Sequence, residues 1–86
     1  MIKSWSDEAW EEYLEWERTN KTVFKRINQL IRDIDRNGHE GIGKPEPLRH
    51  QLSGLWSRRI NQEHRLIYEI ANGQIRIYRC REHYSS

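Results

Sequence analysis

Cysteine is almost missing from these 86 residues. The single Cys80 has no partner for an internal disulfide, which excludes a disulfide-stapled scaffold and predicts a reducing, cytoplasmic setting. In a strand it reads as a small apolar residue. Zinc signatures are missing too: there is no Cys-x-x-Cys pair, and His39-Glu40 is not followed by a second His at position 43. Gly38, Gly41 and Gly43 lack the Gly-Lys-Ser/Thr that would make a nucleotide phosphate loop, and a Ser/His/Asp triad has no positional support. No metal and no cofactor is expected. Long apolar runs are also lacking, and residues 1–5 have no apolar leader core, so no membrane partner is predicted. Aliphatic residues are few, with 35% hydrophobic against 33% charged, yet four Trp, four Tyr and one Phe supply large apolar bodies for a core. At this length one domain spanning 1–86 is expected, small enough that a partner would add useful stability.

The net charge of +2 conceals an asymmetry. Residues 1–43 carry seven Lys/Arg against nine Asp/Glu, whereas residues 44–86 carry eight against four. A basic second half interleaved with Trp56, Tyr68, Tyr78 and Tyr84 suits nucleic acid, where cations hold phosphates and aromatics stack on bases; a plain solvated basic surface fits the charge equally well.

Hydrophobic spacing divides the chain into elements. Residues 2–5 form a short candidate strand, and Ser6 caps a helix running to about Arg18, with Asp7, Glu8, Glu11 and Glu12 near its positive end. Trp10, Tyr13, Leu14 and the methylenes of Glu17 are expected on its buried face, leaving an acidic outer face. Thr19-Asn20 breaks the pattern and caps a second helix, in which Val23, Phe24, Ile27, Leu30, Ile31 and Ile34 recur at helical spacing. Asn37-Gly38 ends it, giving an antiparallel helical hairpin. Residues 39–54 read as a functional loop. A three-stranded antiparallel meander follows over residues 55–60, 64–71 and 74–80, the last turn being Asn72-Gly73 of type I′. Apolar residues on both faces predict a partly covered concave surface. Strand alternation leaves open which arginines enter it, because a bulge would reverse the register.

Chemistry concentrates between residues 43 and 68. Glu46 sits between Pro45 and Pro47, which bias it and Lys44 towards extended backbone, and Lys44, Arg49, His50, Arg58, Arg59, His64 and Arg65 surround it with cations. A carboxylate, an imidazole and several guanidiniums without metal form the set required for RNA transesterification, in which the substrate's own 2′-OH attacks and DNA is spared. The imidazole to pair with Glu46 is His83. A rigid connector bearing an exposed acid remains the plainer reading of Pro45-Glu46-Pro47.

Five stretches together resemble the YoeB/Txe toxins of bacterial type II toxin-antitoxin systems: Met1-Ile2-Lys3-Ser4-Trp5-Ser6, Lys44-Pro45-Glu46-Pro47-Leu48, Leu52-Ser53-Gly54-Leu55-Trp56-Ser57-Arg58-Arg59-Ile60, Glu63-His64-Arg65-Leu66-Ile67-Tyr68 and His83-Tyr84. The resemblance implies an α+β, RelE-like fold, with an N-terminal strand and helical hairpin packed on a mainly antiparallel sheet. It implies a ribosome-dependent endoribonuclease that cleaves mRNA at the A site. A YefM/Phd-type antitoxin would silence it and join it in repressing their operon through operator DNA, and homodimers are known for the family. Carried over by residue, it implies Glu46 as general base, His83 as general acid, Arg65 and Arg59 as phosphate and transition-state stabilisers, Tyr84 as a positioning group, and Lys44 and Arg49 as electrostatic support. Arg49 stands where lysine is usual, keeping charge but changing geometry. Two readings compete: a ParE-like inhibitor of DNA gyrase without catalysis, and a passive RNA-binding module. The His83-Tyr84 tail at the chain end is expected to be free to move, so that antitoxin silences by displacing it as well as by direct occlusion.

Overall fold

Ser6 organises the start of the chain. In the computed structural model, which describes residues 1–82, its N–H donates to Ile77 O at 2.9 Å, and its hydroxyl donates to Tyr78 O while accepting from Ala9 N. The same residue thus ends strand β1 (Ile2–Trp5) and caps helix α1 (Asp7–Thr19). Asn20 then terminates α1 and caps α2 (Lys21–Asn37) by accepting from Val23 N. Gly38, at φ +66°, supplies the left-handed backbone that stops α2.

The sheet contains β1, β2 (Glu46–Pro47), β3 (Trp56–Arg59), β4 (Arg65–Ala71) and β5 (Gln74–Arg79), in the order β1-β5-β4-β3-β2. β1 runs parallel to β5 and every other pair is antiparallel, with an irregularity opposite Ile67 and Tyr68. Asn72 and Gly73 both have positive φ, as the type I′ turn between β4 and β5 requires. The expected meander is therefore present, extended by one strand on each side.

One face of this sheet packs on the helices. Ile27, Leu30 and Ile34 of α2 meet Leu66 and Tyr68 of β4 and Ile75 and Ile77 of β5, all 0 or 1% exposed. The predicted α2 stripe is the core stripe. For α1 the prediction requires correction: Ala9 and Trp16 are its buried residues and Tyr13 is half-buried, while Trp10 and Leu14 are 43% and 38% exposed and Glu17 is exposed. The small Ala9 lets α1 approach the sheet, where its carbonyl meets Cys80 Sγ, and Trp16 turns inward because its Nε1–H finds Cys80 O at 2.8 Å. Burial pushes the Cys80 thiol up to about 12, so it serves as a core residue with an unreactive thiol.

The acids of α1 are not a bare outer face. Glu12 pairs with Arg79 and accepts from Cys80 N at 2.8 Å, Glu15 pairs with Arg81, and the Arg81 guanidinium lies 4.6 Å above the Trp16 ring. Residues 79–82 are thus tied to the body of the fold, while the His83-Tyr84 tail expected to be free to move lies outside the described residues. Among the described residues no helix is long and apolar enough to cross a membrane.

Candidate active site

The loop after α2 is held by a buried arginine. Arg58, 0% exposed, donates to Asp33 Oδ2 (2.5 Å), Gly38 O (2.6 Å), Glu40 O (2.8 Å), Ile42 O (3.0 Å) and the Tyr68 hydroxyl (3.2 Å). Its guanidinium collects carbonyls that the turns of residues 38–42 would otherwise leave unpaired. Arg58 is therefore part of the scaffold and not one of the cations around Glu46, as the sequence had suggested. Gly43 completes the attachment. Its carbonyl accepts from Arg59 N at 2.7 Å, and a Cβ there would stand 2.7 Å from the Leu30 side chain, so only glycine permits the approach.

Three residues later Glu46 pairs with Ser57 across β2 and β3. Lys44, between these anchors, takes φ +51° rather than the extended geometry expected before proline. The chain must turn between a carbonyl fixed on Arg59 and a strand residue fixed on Ser57, and Lys44 absorbs the turn. Glu46 itself is extended, as its flanking prolines predict.

Strand pairing places the charged groups. Arg59 and Arg65 are direct partners across β3 and β4, and Ser57 is the partner of both Glu46 and Ile67. Opposed residues share a face and alternate residues return to it, so Glu46, Ser57, Arg59, Arg65 and Ile67 lie on the face away from the helices. Trp56, Arg58, Leu66 and Tyr68 take the other. The row of Glu46 and the row of Arg59/Arg65 are separated by about 7 Å, two residues along a strand. Two opposed arginines repel each other and cost the fold stability, an arrangement that suits an anion placed between them. Arg59 is exposed and its guanidinium has no partner among the described residues. Arg65 is half-buried, and its Nη1 donates to the carbonyls of Asn61 (2.7 Å), Gln62 (3.2 Å) and His64 (3.1 Å), which orients the fork over the β3–β4 turn.

Glu46, Lys44 and Arg49 are all exposed. Lys44 precedes β2 and Arg49 follows it, so both flank Glu46 along the loop. His83 and Tyr84 lie outside the described residues. The residue before them does not: Glu82 N donates to His64 Nδ1 at 2.7 Å, and Glu82 O accepts from Arg65 N at 2.8 Å. The end of the described chain is thus tied to the start of β4, beside Arg65. Sequence reasoning counted His64 among the cations around Glu46, and no spacing signal marks this contact.

Against known proteins, the profile of the family described as YoeB-like toxin of bacterial type II toxin-antitoxin system matches residues 5–84. The chain belongs to this family. It is 54% identical over 80 residues to toxin YoeB of Escherichia coli K12, covering 93% of this chain and 95% of that one. Among solved structures, a YoeB/ParE toxin from Agrobacterium tumefaciens is 40% identical with a TM-score of 0.95, covering 98% of this chain and all of that one. YoeB of Staphylococcus aureus has been solved as a dimer and in complex with YefM, at 46% and 47% identity, each with a TM-score of 0.92 and 98% of both chains covered. The α+β architecture described above is the RelE/YoeB-like fold of these toxins.

In this YoeB-like chain the loop clamp is sensitive to acid. Hydrogen bonding to Arg58 holds the Asp33 carboxyl below its ordinary range. Burial, with Arg58 nearby, lowers His39, whose ring stacks on Trp56 at 4.0 Å. Both shifts mean that the unfolded chain takes up protons more readily than the folded one, so stability is complete above each group's ordinary value and declines as pH falls. The urea midpoint is expected to drop first below about pH 6.5, through His39, and again below about pH 4, through Asp33 together with Asp35, which Lys3 and the N-terminal ammonium hold down at about 2. His39→Phe keeps the stacking and should abolish the first drop alone; a first drop of unchanged size in that variant would exclude His39 as its origin.

Proposed function

We propose that this chain is a ribosome-dependent mRNA endoribonuclease, cutting message in the A site by acid-base transesterification without a metal. What supports this reading is the gathering of Glu46, Arg59 and Arg65 on the sheet face away from the helices. Glu46 takes the proton from the substrate 2′-OH, whose oxygen attacks the adjacent phosphorus. Arg59 and Arg65 balance the charge of the pentacoordinate dianion, with Lys44 and Arg49 adding positive potential along the path of the message. The bond from phosphorus to the 5′-oxygen then breaks, and His83 protonates the departing oxygen while Tyr84 positions the nucleotide. The products are a 2′,3′-cyclic phosphate and a 5′-hydroxyl.

The same cationic face is the natural dock for an acidic segment with apolar anchors, which folds as it binds. An antitoxin of the YefM kind therefore silences the chain by covering this face, and the complex represses its own operon. Displacement of the His83-Tyr84 tail contributes beside this occlusion, the residues before it being held by Glu12, Trp16, His64 and Arg65.

Purified chain added to translating ribosomes, with cleavage mapped by primer extension, tests the assignment. Cuts inside the A-site codon are expected. Intact message together with inhibited DNA gyrase would establish the ParE-like alternative in its place.

A further inference from the structure

We propose that His64 is a positioning residue for this reaction: through Nδ1 it fixes Glu82, the residue that His83 follows in the chain. The inference rests on the function proposed above and adds a role for a side chain that the mechanism does not use.

Glu82 has φ +58°, in the left-handed region that a non-glycine residue occupies only when its surroundings require it. Two hydrogen bonds supply the requirement, one from Glu82 N to His64 Nδ1 and one from Arg65 N to Glu82 O. His64 is itself well fixed. Its side chain is 12% exposed, and its ring stands edge-on to Trp16 at 4.9 Å, on the indole that donates to Cys80 O. Its backbone N–H donates to Asn61 Oδ1 at 2.7 Å in the β3–β4 turn. Accepting at Nδ1 requires the ring proton on Nε2, and the Glu63 carboxylate lies 3.6 Å from that nitrogen.

Neighbouring residues therefore carry linked tasks. Arg65 holds its guanidinium over the β3–β4 turn and its backbone N–H holds Glu82 O, while His64 holds Glu82 N. The residue that precedes the proposed acid is thereby fixed to the same turn that orients a proposed phosphate ligand, and a loss at either bond frees Glu82 relative to Arg65. A misplacement of about 1 Å at a reacting group can cost a hundredfold in rate.

Two substitutions separate this role from packing. His64→Phe keeps a ring against Trp16 and removes the acceptor, whereas His64→Asn keeps an acceptor oxygen near the place of Nδ1 and removes the ring. The His64→Phe variant is expected to lose roughly ten- to a hundredfold in single-turnover cleavage on ribosomes, with ribosome affinity retained, and its Glu82 amide to exchange faster. The His64→Asn variant should stay within a few-fold of the parent chain in rate and keep the Glu82 amide protected. The reverse order, with His64→Phe active and His64→Asn slow, would show that the ring acts by packing and overturn the proposal. Unchanged Glu82 exchange in His64→Phe would overturn it as well. A parent chain that cuts no RNA would overturn the function itself, a result distinct from either failure of the anchor.

Discussion

Replacing Glu46 with glutamine is expected to lower single-turnover cleavage of ribosome-bound message by about 10² to 10⁴-fold, the usual contribution of a positioned proton acceptor. Glutamine preserves shape and solvation and removes only the ability to take a proton. Because Glu46 is exposed and its carboxylate has no partner among the described residues, the variant should unfold within about 0.5 kcal/mol of the parent chain. His83→Ala should give a loss of similar size. If both variants cleave within a few-fold of the parent while Arg65→Ala is inactive, charge stabilisation dominates and the base and acid roles fall.

The second large effect separates two adjacent arginines. Arg58→Met is expected to destabilise the chain by about 3 to 5 kcal/mol, because it leaves Asp33 charged without its cation, with only Asn37 Nδ2 and Ile42 N still donating to it, and strips donors from three loop carbonyls. That loss is comparable with the whole stability of many small domains, commonly about 5 to 15 kcal/mol. Arg58→Lys should rescue little, since one ammonium on a flexible stem cannot reach five acceptors spread around a planar fork. Arg59→Ala, one residue along and on the opposite face, should leave stability nearly unchanged and reduce cleavage. Urea titration of the three variants checks this. An Arg58→Met chain as stable as the parent, impaired only in cleavage, would move Arg58 from the scaffold to the site.

These contrasts mark where the sequence was informative. Helix α2 was legible because Val23, Ile27, Leu30, Ile31 and Ile34 repeat with helical period on one buried face. The β4–β5 hairpin was legible because Asn72-Gly73 matches one turn type. The face of α1 was misread: counting large apolar residues selected Trp10 and Leu14, whereas close approach to the sheet selected the small Ala9, and a hydrogen bond to Cys80 O selected Trp16. Strand β2 carried no periodic signal, since two residues cannot show one.

At the site, alternation along β3 puts Arg59 on the side of Ser57 and away from Trp56. It did not say which group faced the helices, and the burial of Arg58 answers that. Pairing of Arg59 with Arg65 and of Glu46 with Ser57 required the register, which depends on contacts distant in sequence. The assignment of Glu46, Arg65 and His83 to separate roles came from resemblance to YoeB toxins and not from any pattern in the residues. The part of His64 in holding Glu82 belongs to neither source and emerged only from the fold.

The ends of the RNA fragments bear most directly on the proposed chemistry. Message cleaved on ribosomes can be chased briefly into EDTA during single turnover and the fragments read by mass spectrometry, with cleavage also followed after divalent metal other than the magnesium that ribosomes need has been removed. Attack by the substrate 2′-OH, with Glu46 as base and His83 as acid, predicts a 2′,3′-cyclic phosphate on one fragment and a 5′-hydroxyl on the other. Fragments ending in a 3′-hydroxyl and a 5′-phosphate would mean that water attacked from the opposite side, and would contradict it.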